Sequence, residues 1–425
     1  MSKLKHFKEF ETYSEYETYI NGNPMLPNVS FVSQDVYYKD GEPLPEDYFN
    51  FGVDTSEVES TDTSIINTYD TNYPSITFEY NGIVTAITDN NGNITANFNE
   101  NTIEEQQTGS VIAKHNDTIV GIWTITQKAY EKPDYSKQYL TFKITGDGEI
   151  SNQQGYNLYY SKDNGETWQS WSDSVLSVVS GDVILFKNEL ENYNDLFSES
   201  TAGFEVYGNI LSIIYGDDFI GKTDISQSAF MELFINCTGL TSTENLILPA
   251  TTLAYNCYNS MFQGCTSLVN APELPATTLA DACYNSMFSY CTSLVTAPEL
   301  PATTLANNCY SNMFMRCTSL VTAPELPATT LADKCYTSMF YDCTSLVTAP
   351  ELPATTLANY CYYSMFGGCT LLNYIKCLVT ANIDGSYIRA WVNGVASSGT
   401  FVKAAGVTWP TGTSGIPSGW VVQEV

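Results

Sequence analysis

The chain has 425 residues, a formal net charge of −30 and 43% hydrophobic residues. Its length allows two to four domains, and its apolar content is sufficient for buried cores. The negative charge would repel phosphate backbones, and Arg316 and Arg389 are the only arginines, so the composition argues against nucleic-acid binding.

The first residues favour synthesis without export. Residues 1–11 are charged and lack the apolar core of a signal peptide, and no apolar run approaches the length of a membrane span. We therefore expect the chain to stay in the cytoplasm unless something other than the general secretory route exports it. A sequence from which a signal peptide had been removed would look the same, so that alternative stays open.

Residues 1–52 are predicted to be an N-terminal attachment arm. The segment is acidic, rich in tyrosine and interrupted by four prolines. It is too short to bury its aromatic residues alone, so we expect it to dock onto a partner or onto the next domain.

Residues 53–132 alternate between apolar and polar side chains, which predicts an immunoglobulin-like β-sandwich. Asn81-Gly82 and Asn91-Gly92 are predicted hairpin turns. The segment Gly121 to Ala129 resembles the last strand of BACON domains, a sandwich family common in gut Bacteroidota and their phages. The name of that family implies carbohydrate binding, but no sugar-binding residue can be assigned in this segment.

Residues 133–203 are predicted to form a small β domain that contains an Asp-box turn from Ser161 to Trp168. Sialidases carry such boxes, but they also need an arginine cluster for the substrate carboxylate, which this chain lacks. The box is therefore interpreted as a structural turn. Asp163-Asn164-Gly165 and Asp217-Asp218 could bind calcium weakly, although we favour solvated turns, so no metal site is predicted.

The rest of the chain is dominated by a repeat. Leu-Pro-Ala-Thr-Thr-Leu-Ala occurs five times at 26-residue intervals, starting at Leu248, Leu274, Leu300, Leu326 and Leu352. A fixed period of this size predicts a solenoid of stacked, near-identical coils. We expect the solenoid at residues 251–377, with an atypical N-terminal cap at 204–250 and a C-terminal cap at 378–425.

One unit illustrates the predicted coil. Leu294 to Leu300 alternates enough for a short strand that ends at Pro301. From Leu305 to Cys317, apolar residues recur at every fourth position, which we interpret as a short amphipathic helix. One strand and one helix per coil would give a parallel sheet with helices outside it.

The motif Phe-x-x-Cys-Thr-Ser-Leu at Phe288 to Leu294 recurs with the same spacing through the repeats. It resembles the leucine-rich repeats of the BspA-like type. The resemblance implies a right-handed α/β leucine-rich-repeat solenoid with 26-residue repeats, following the immunoglobulin-like sandwich domains. Proteins of this group occur as surface adhesins of Bacteroidota and as structural proteins of phages that infect them.

All 12 cysteines lie between Cys237 and Cys377. Ten of them form two series with a Cys-x7-Cys spacing, which is not a zinc pattern. A disulfide framework would favour secretion, but both series fall on apolar positions. We therefore predict buried, reduced thiols that act as small hydrophobic side chains.

Three pairs of residues vary between the repeats while their neighbours are copied, and they fall between the apolar positions. We interpret these pairs as pointing outward, either as a contact surface or as exposed sites under neutral drift. Tyrosine and asparagine supply contact area and adaptable hydrogen bonds. The candidate binding residues are Tyr255, Tyr290, Arg316, Tyr341, Tyr360 and Tyr363.

The favoured function is that of a virion structural protein, a head or tail fibre or appendage of a phage that infects gut Bacteroidota, assembled in the bacterial cytoplasm. Its expected partners are other virion proteins through residues 1–52 and a host-surface protein or glycan through the solenoid. A homo-oligomer, namely a trimer, is expected. A secreted or surface-anchored bacterial adhesin of the BspA-like type is the alternative.

A glycan-active enzyme is argued against by the scarcity of arginine and by the position of the two histidines, His6 and His115, far from the repeats. No catalytic residue, cofactor or metal ligand is predicted.

Overall fold

The computed structural model describes residues 133–425 continuously and, before them, residues 38–39, 42–43, 55–59, 62–68, 76–90, 93–101, 105–115 and 118–128. The chain divides into two compact units, Met1–Pro133 and Asp134–Val425. Most of the predicted attachment arm, residues 1–52, lies outside the described residues. Its described part is an antiparallel pair, β1 (Tyr38–Lys39) and β2 (Glu42–Pro43).

Two further sheets in the described part of the first unit share one apolar core. The further strands of this unit are β3 (Thr55–Val58), β4 (Ser64–Thr68), β5 (Ile76–Gly82), β6 (Val84–Asp89), β7 (Asn93–Phe98), β8 (Gln107–His115) and β9 (Thr118–Gln127). One sheet has the order β3-β9-β8-β5 and the other the order β4-β7-β6. Trp123, Ile94 and Val111 are fully buried in the shared core, because the inward-facing residues of both sheets are apolar.

The two predicted hairpin turns of this unit have different outcomes. β6 and β7 pair antiparallel on either side of Asn91-Gly92, which themselves lie outside the described residues, so that hairpin is confirmed. The prediction for Asn81-Gly82 is wrong. β5 pairs with β8 whereas β6 pairs with β7, so the chain crosses there from one sheet to the other.

The second unit begins with a mixed sheet. Its elements are β10 (Leu140–Gly146), β11 (Gly148–Ser151), β12 (Leu158–Ser161), β13 (Gln169–Trp171), β14 (Val175–Val178), β15 (Val183–Lys187), β16 (Gly203–Asn209), α1 (Ser212–Tyr215), β17 (Leu240–Ser242) and β18 (Leu246–Ile247), with single 3-10 turns at Tyr135–Lys137 and Gly216–Asp218. The sheet order is β13-β12-β15-β10-β16-β17, and β18 also pairs with β16. β11 and β14 form a separate pair.

Strand β16 joins this sheet to the repeats. It pairs antiparallel with β10 on one side and parallel with β17 and β18 on the other. The predicted division between residues 203 and 204 therefore falls at the start of a strand that belongs to both segments. The core is also continuous, since Phe142 of β10 lies against Phe204 and Phe234 at ring-centroid distances of 5.0 and 5.9 Å.

The repeats contain no helix, so the predicted α/β leucine-rich-repeat solenoid is wrong. From residue 251 to 373, all of which the structure describes, the backbone forms turns joined by isolated parallel bridges such as Thr296 to Thr322. The predicted helix from Leu305 to Cys317 is a run of turns. The predicted strand from Leu294 to Leu300 is reduced to the single bridge at Thr296.

The backbone N–H groups of these turns alternate between two kinds of acceptor. One N–H donates to a carbonyl of its own coil, and the following N–H donates to a carbonyl of the next coil. The N–H of Cys309 donates to the carbonyl of Ala306 at 3.3 Å, which closes a local turn. The next N–H, of Tyr310, donates to the carbonyl of Cys335 in the following coil at 3.1 Å. The backbone groups that a helix would satisfy along its own axis are thus shared with the neighbouring coil.

The spacing of the coils explains why helices are absent. Phe262, Phe288 and Phe314 occupy equivalent positions and stack at centroid distances of 5.5 and 5.7 Å. Packed helices need about 8–10 Å between their axes, whereas paired strands need about 4.8 Å. One coil every 5.5–5.7 Å therefore leaves no room for a helix in each repeat.

Every fourth residue of the turns has a left-handed backbone. In one coil these residues are Asn308, Asn312 and Arg316, with φ of 55°, 56° and 62°. The other such positions in the repeats are Asn256, Ser260, Ala282, Ser286, Tyr290, Lys334, Ser338, Asp342, Tyr360 and Ser364, with glycine at Gly264 and Gly368. None of them is β-branched, because a branched Cβ is the most strained in this conformation.

The C-terminal residues close the stack with a parallel sheet. Strands β19 (Tyr374–Cys377), β20 (Thr400–Lys403) and β21 (Val421–Glu424) pair in that order. The indole N–H of Trp391 donates to the carbonyl of Gly415 at 2.8 Å, and that of Trp420 donates to the carbonyl of Ala396 at 2.8 Å. Each of the two buried indoles thus satisfies its polar atom while it covers the last coil.

Candidate functional site

We use the name turn face for the surface formed by residues 255–256, 259–260 and 263–264 and their equivalents at 26-residue intervals. It carries all six candidate binding residues. Tyr255, Tyr290, Arg316 and Tyr360 are exposed, and Tyr341 and Tyr363 are half-buried. Not every variable pair points outward as expected, since four of the serines are buried: Ser260, Ser289, Ser311 and Ser364.

Three of the exposed candidates occupy left-handed positions. Tyr290, Arg316 and Tyr360 have φ of 63°, 62° and 54°. Such a backbone costs a residue other than glycine about 1–2 kcal/mol relative to the right-handed conformation. The inter-coil hydrogen bonds hold it in place, for example from the N–H of Arg316 to the carbonyl of Tyr341 at 2.7 Å. The directions of these side chains are therefore set by the coil.

Arg316 is fixed between the neighbouring coils. Its Nε donates to Oδ2 of Asp342 at 3.2 Å, and its Nη1 donates to the hydroxyl of Tyr290 at 3.1 Å. The guanidinium also lies over the ring of Tyr290, 5.1 Å from the centroid. Because a guanidinium has five N–H donors, these contacts orient the group and leave donors that can face a ligand.

Three of the other four tyrosines, Tyr341, Tyr360 and Tyr363, lie near the C-terminal end of the turn face. The rings of Tyr360 and Tyr363 meet edge to face at 6.1 Å. Tyr341 lies over Gly367 of the next coil, where a Cβ would be 2.9 Å from Cδ2 of that ring. Tyr255 is four repeats away from Tyr360. The candidates thus form a distributed surface rather than a single pocket.

A second row of exposed side chains was missed by the sequence analysis. Four of the five coils place a valine directly after a fully buried leucine, and these valines are between 39% and 50% exposed. They are Val269, Val295, Val321 and Val347. Because all four copies are identical, the search for variable positions passed over them, although an apolar residue in an otherwise alternating segment was the available signal.

Some of the variable residues have a structural explanation. The N–H groups of Asn307, Asp333 and Asn359 donate to the side chains of Asp281, Asn307 and Asp333 in the preceding coils, at 2.9, 3.1 and 3.0 Å. Acid and amide alternate along this column. The alternation keeps like charges from facing each other in adjacent coils.

The Asp-box folds as a hydrogen-bonded turn. The carboxylate of Asp163 accepts bonds from the N–H and the hydroxyl of Thr167 at 2.9 and 2.5 Å, and from the hydroxyl of Ser161 at 2.7 Å. Asn164 and Gly165 have φ of 57° and 87°. The hydrogen bonds from Thr167, followed by that from Ser161, lower the pKa of Asp163 to about 2.

We predict that the Asp163 carboxyl titrates with a midpoint of about 2 in the folded protein, below its ordinary value of 3.8. Because the folded pKa is depressed, the turn is stabilised above about pH 4, and this contribution is lost as the pH falls toward 2. Carboxyl-detected NMR measures the midpoint. Thr167→Val should raise it toward 3.8; an unchanged midpoint in that variant would show that Thr167 does not stabilise the carboxylate.

The cysteines are buried free thiols, as predicted, although they lie on turns rather than on helices. One series donates to phenylalanine carbonyls of the preceding coil, such as Cys291 to Phe262 and Cys317 to Phe288, each at 3.1 Å. Burial raises the pKa of Cys265 and Cys343 well above the ordinary value for a thiol. Such groups remain protonated and chemically inert.

Alkylation tests the redox state of these thiols. We expect all 12 cysteines to be labelled by iodoacetamide when the purified protein is denatured without reductant, and few to be labelled in the native protein. Mass spectrometry counts the labels. Pairs of cysteines protected until reductant is added would contradict the free-thiol assignment and would favour a secreted protein.

The described residues contain no group of three or more histidine, cysteine or acidic side chains that could hold a metal ion. His6 and the side chain of His115 lie outside the described residues. Asp217, a weak calcium candidate, is held by Lys187 and Tyr139 at 2.7 Å each. A bond from Lys187 and then one from Tyr139 lower the pKa of its carboxyl.

An open groove lies between the first coils of the repeats. Its lining includes Pro272, Glu273, Pro298 and Glu299. Proline and glutamate side chains offer no nucleophile paired with a base, so the groove has no recognisable catalytic arrangement.

Among the described residues, no helix has both the length and the apolar character to cross a membrane.

Comparisons with known proteins found no matching family model, no matching curated protein and no matching solved structure.

Proposed function

We propose that the chain is a structural protein of a phage that infects gut Bacteroidota, a head or tail fibre or appendage that contacts the host surface through the turn face. The observation that carries the proposal is the set of exposed tyrosines and one oriented arginine, held at fixed spacing on a stack of near-identical coils. The attribution to a phage rests on the resemblance of the repeats and of the segment Gly121 to Ala129 described above.

The turn face has the properties of an adhesive surface. Tyrosine and arginine are enriched at the energetic centres of interfaces. At the left-handed positions their backbones are fixed, and Arg316 is oriented by Asp342 and Tyr290. Less side-chain freedom remains to be lost on binding, which favours affinity. A host-surface protein or a glycan is the proposed partner.

The free thiols favour the virion over the alternative, a secreted bacterial adhesin. Twelve buried cysteines without a disulfide suit a chain that folds in a reducing cytoplasm. Particles would then be assembled in the host cell, with residues 1–52 as the attachment segment and with a homo-oligomer, a trimer, as the assembled form.

Binding to host cells tests the proposal. We expect the full chain to bind cultured Bacteroidota cells or their extracted glycans, and we expect Tyr290→Ser combined with Arg316→Ser to bind at least about tenfold more weakly, as for loss of an interface centre. Both side chains are exposed, so the melting temperature should change little.

The matched control is Val295→Ser combined with Val321→Ser, which alters the exposed valine row on the same two coils. This control should bind as the original chain does. If it loses binding and the turn-face variant does not, the contact surface is the valine row. If neither variant changes binding and residues 53–132 carry it, the BACON-like segment is the adhesive part.

A further inference from the structure

The repeats contain a row of buried phenol oxygens without a protein partner. The hydroxyls of Tyr258, Tyr284 and Tyr310, in three successive coils, have no hydrogen bond within the described part of the chain. Each of these residues is at most 1% exposed. Buried hydroxyls are nearly always hydrogen-bonded, so three in adjacent coils need an explanation.

The spacing of the rings defines the distance between these oxygens. Tyr258 and Tyr284 stack with centroids 5.7 Å apart and planes 10° apart, and Tyr284 and Tyr310 with centroids 6.0 Å apart and planes 4° apart. Near-parallel rings at equivalent positions hold their hydroxyls at about the same spacing as their centroids. A direct O–H···O bond of about 2.8 Å is therefore excluded, but the spacing is close to twice that length.

Each of these hydroxyls can form hydrogen bonds toward both neighbouring coils. Burial is the main cause that raises the pKa of Tyr258 and Tyr284 well above 10, followed by the thiol of Cys257 for Tyr258 and by the phenol of Tyr258 for Tyr284, so both remain protonated. A protonated phenol offers one donor and two acceptor sites. Each oxygen in the row can thus bond to a neighbour on both sides.

The parallel row of phenylalanines provides a comparison within the same coils. Phe262, Phe288 and Phe314 stack at 5.5 and 5.7 Å and are equally buried without a hydroxyl. A ring without a polar group is therefore compatible with the stack. All five repeats nevertheless carry tyrosine in the other row, at 258, 284, 310, 336 and 362.

We propose that two water molecules are bound inside the repeats, one between the hydroxyls of Tyr258 and Tyr284 and one between those of Tyr284 and Tyr310. Each water bridges two coils with bonds of about 2.8 Å, and the result is a file of alternating phenol and water oxygens. Buried waters commonly make about three hydrogen bonds, and the thiols of Cys257 and Cys283, which lie close enough to Tyr258 to affect its pKa, are weak candidates for the third bond of the first water. The file links three coils by a polar column within an otherwise apolar core.

A crystal structure of the full chain tests the proposal directly. We expect electron density for one water oxygen between each pair of hydroxyls, about 2.6–3.2 Å from both phenol oxygens. A map in which the surrounding side chains are well defined and both positions are empty would overturn the proposal.

Tyr284→Phe provides an independent test, because it removes the hydroxyl shared by both waters and keeps the ring. We expect its melting temperature to fall by several degrees more than that of Tyr336→Phe. Tyr336 lies in the same row, but its ring is tilted by 32° against that of Tyr362, and its hydroxyl is not among the fully buried oxygens without a partner. An equal fall in both variants, or a rise in Tyr284→Phe, would contradict a hydrogen-bonded file.

Discussion

The Phe314→Ala variant is expected to lose about 3–5 kcal/mol of its free energy of unfolding. Phe314 is fully buried in the middle of the repeats and stacks on Phe288 and Phe340 at 5.7 Å each. Truncation removes contacts with both neighbouring coils at once and leaves a cavity that the rigid stack cannot close. Urea unfolding of the full chain, followed by tyrosine and tryptophan fluorescence, measures the loss.

Val321→Ala is the matched control for this experiment. Val321 is a valine of the exposed row seven residues further along the chain, and its replacement should change the free energy of unfolding by no more than about 0.5 kcal/mol. If Phe314→Ala were no more destabilising than Val321→Ala, the aromatic row would not be the core of the stack.

The Ala282→Gly variant is expected to be more stable by about 1 kcal/mol, and Ala282→Val less stable by about 1–3 kcal/mol. Ala282 has φ of 56°, which glycine adopts without strain and a β-branched residue adopts least readily. A helix would give the opposite sign for glycine, because Ala→Gly in a helix interior costs about 1 kcal/mol. The pair of variants thus distinguishes a coil of turns from a helix.

Ala280→Gly is the control, since Ala280 lies two residues earlier and is not left-handed. Glycine there should cost about 0.5–1 kcal/mol through the entropy of the unfolded chain. Thermal unfolding of the three variants gives the comparison. A destabilised Ala282→Gly would contradict the left-handed assignment.

The sequence correctly indicated the repeat length, the buried thiols and the apolar positions. It wrongly indicated a helix where the structure has turns. Leu305, Cys309, Met313 and Cys317 recur at every fourth residue, and a helix with 3.6 residues per turn would rotate such a row by about 40° per step. Over three steps the row would leave the buried face. A strict four-residue period is satisfied instead by turns that end in a left-handed residue, and the asparagines, serines and glycines at those positions agree with it.

Long-range pairing limited the prediction of the other elements. The two-residue pattern at Asn81-Gly82 is typical of a hairpin, but β5 and β6 find their partners in different sheets. In the same way, β16 joins the mixed sheet to the first coil through pairings with β10 and β17, which no local pattern reveals. Local turn chemistry does not specify the partner of a strand.

The candidate site was predicted in part. Variation between repeats located Tyr255, Tyr290, Arg316 and Tyr360 at exposed positions. It could not show that Arg316 is held by Tyr290 and Asp342, because that contact joins residues 26 positions apart in adjacent coils. The exposed valines are identical in all four copies, so variation between the repeats could not indicate them.

Mass spectrometry of purified phage particles is the most direct test of the proposed function. A culture that produces this chain should yield particles in which its peptides remain after density-gradient purification and washing at high salt. The washes matter because a chain with a charge of −30 can adhere to particles through electrostatic contacts alone. Peptides in the purified particles are the expected result; peptides confined to the bacterial envelope or the secreted fraction would contradict a virion protein and support the adhesin.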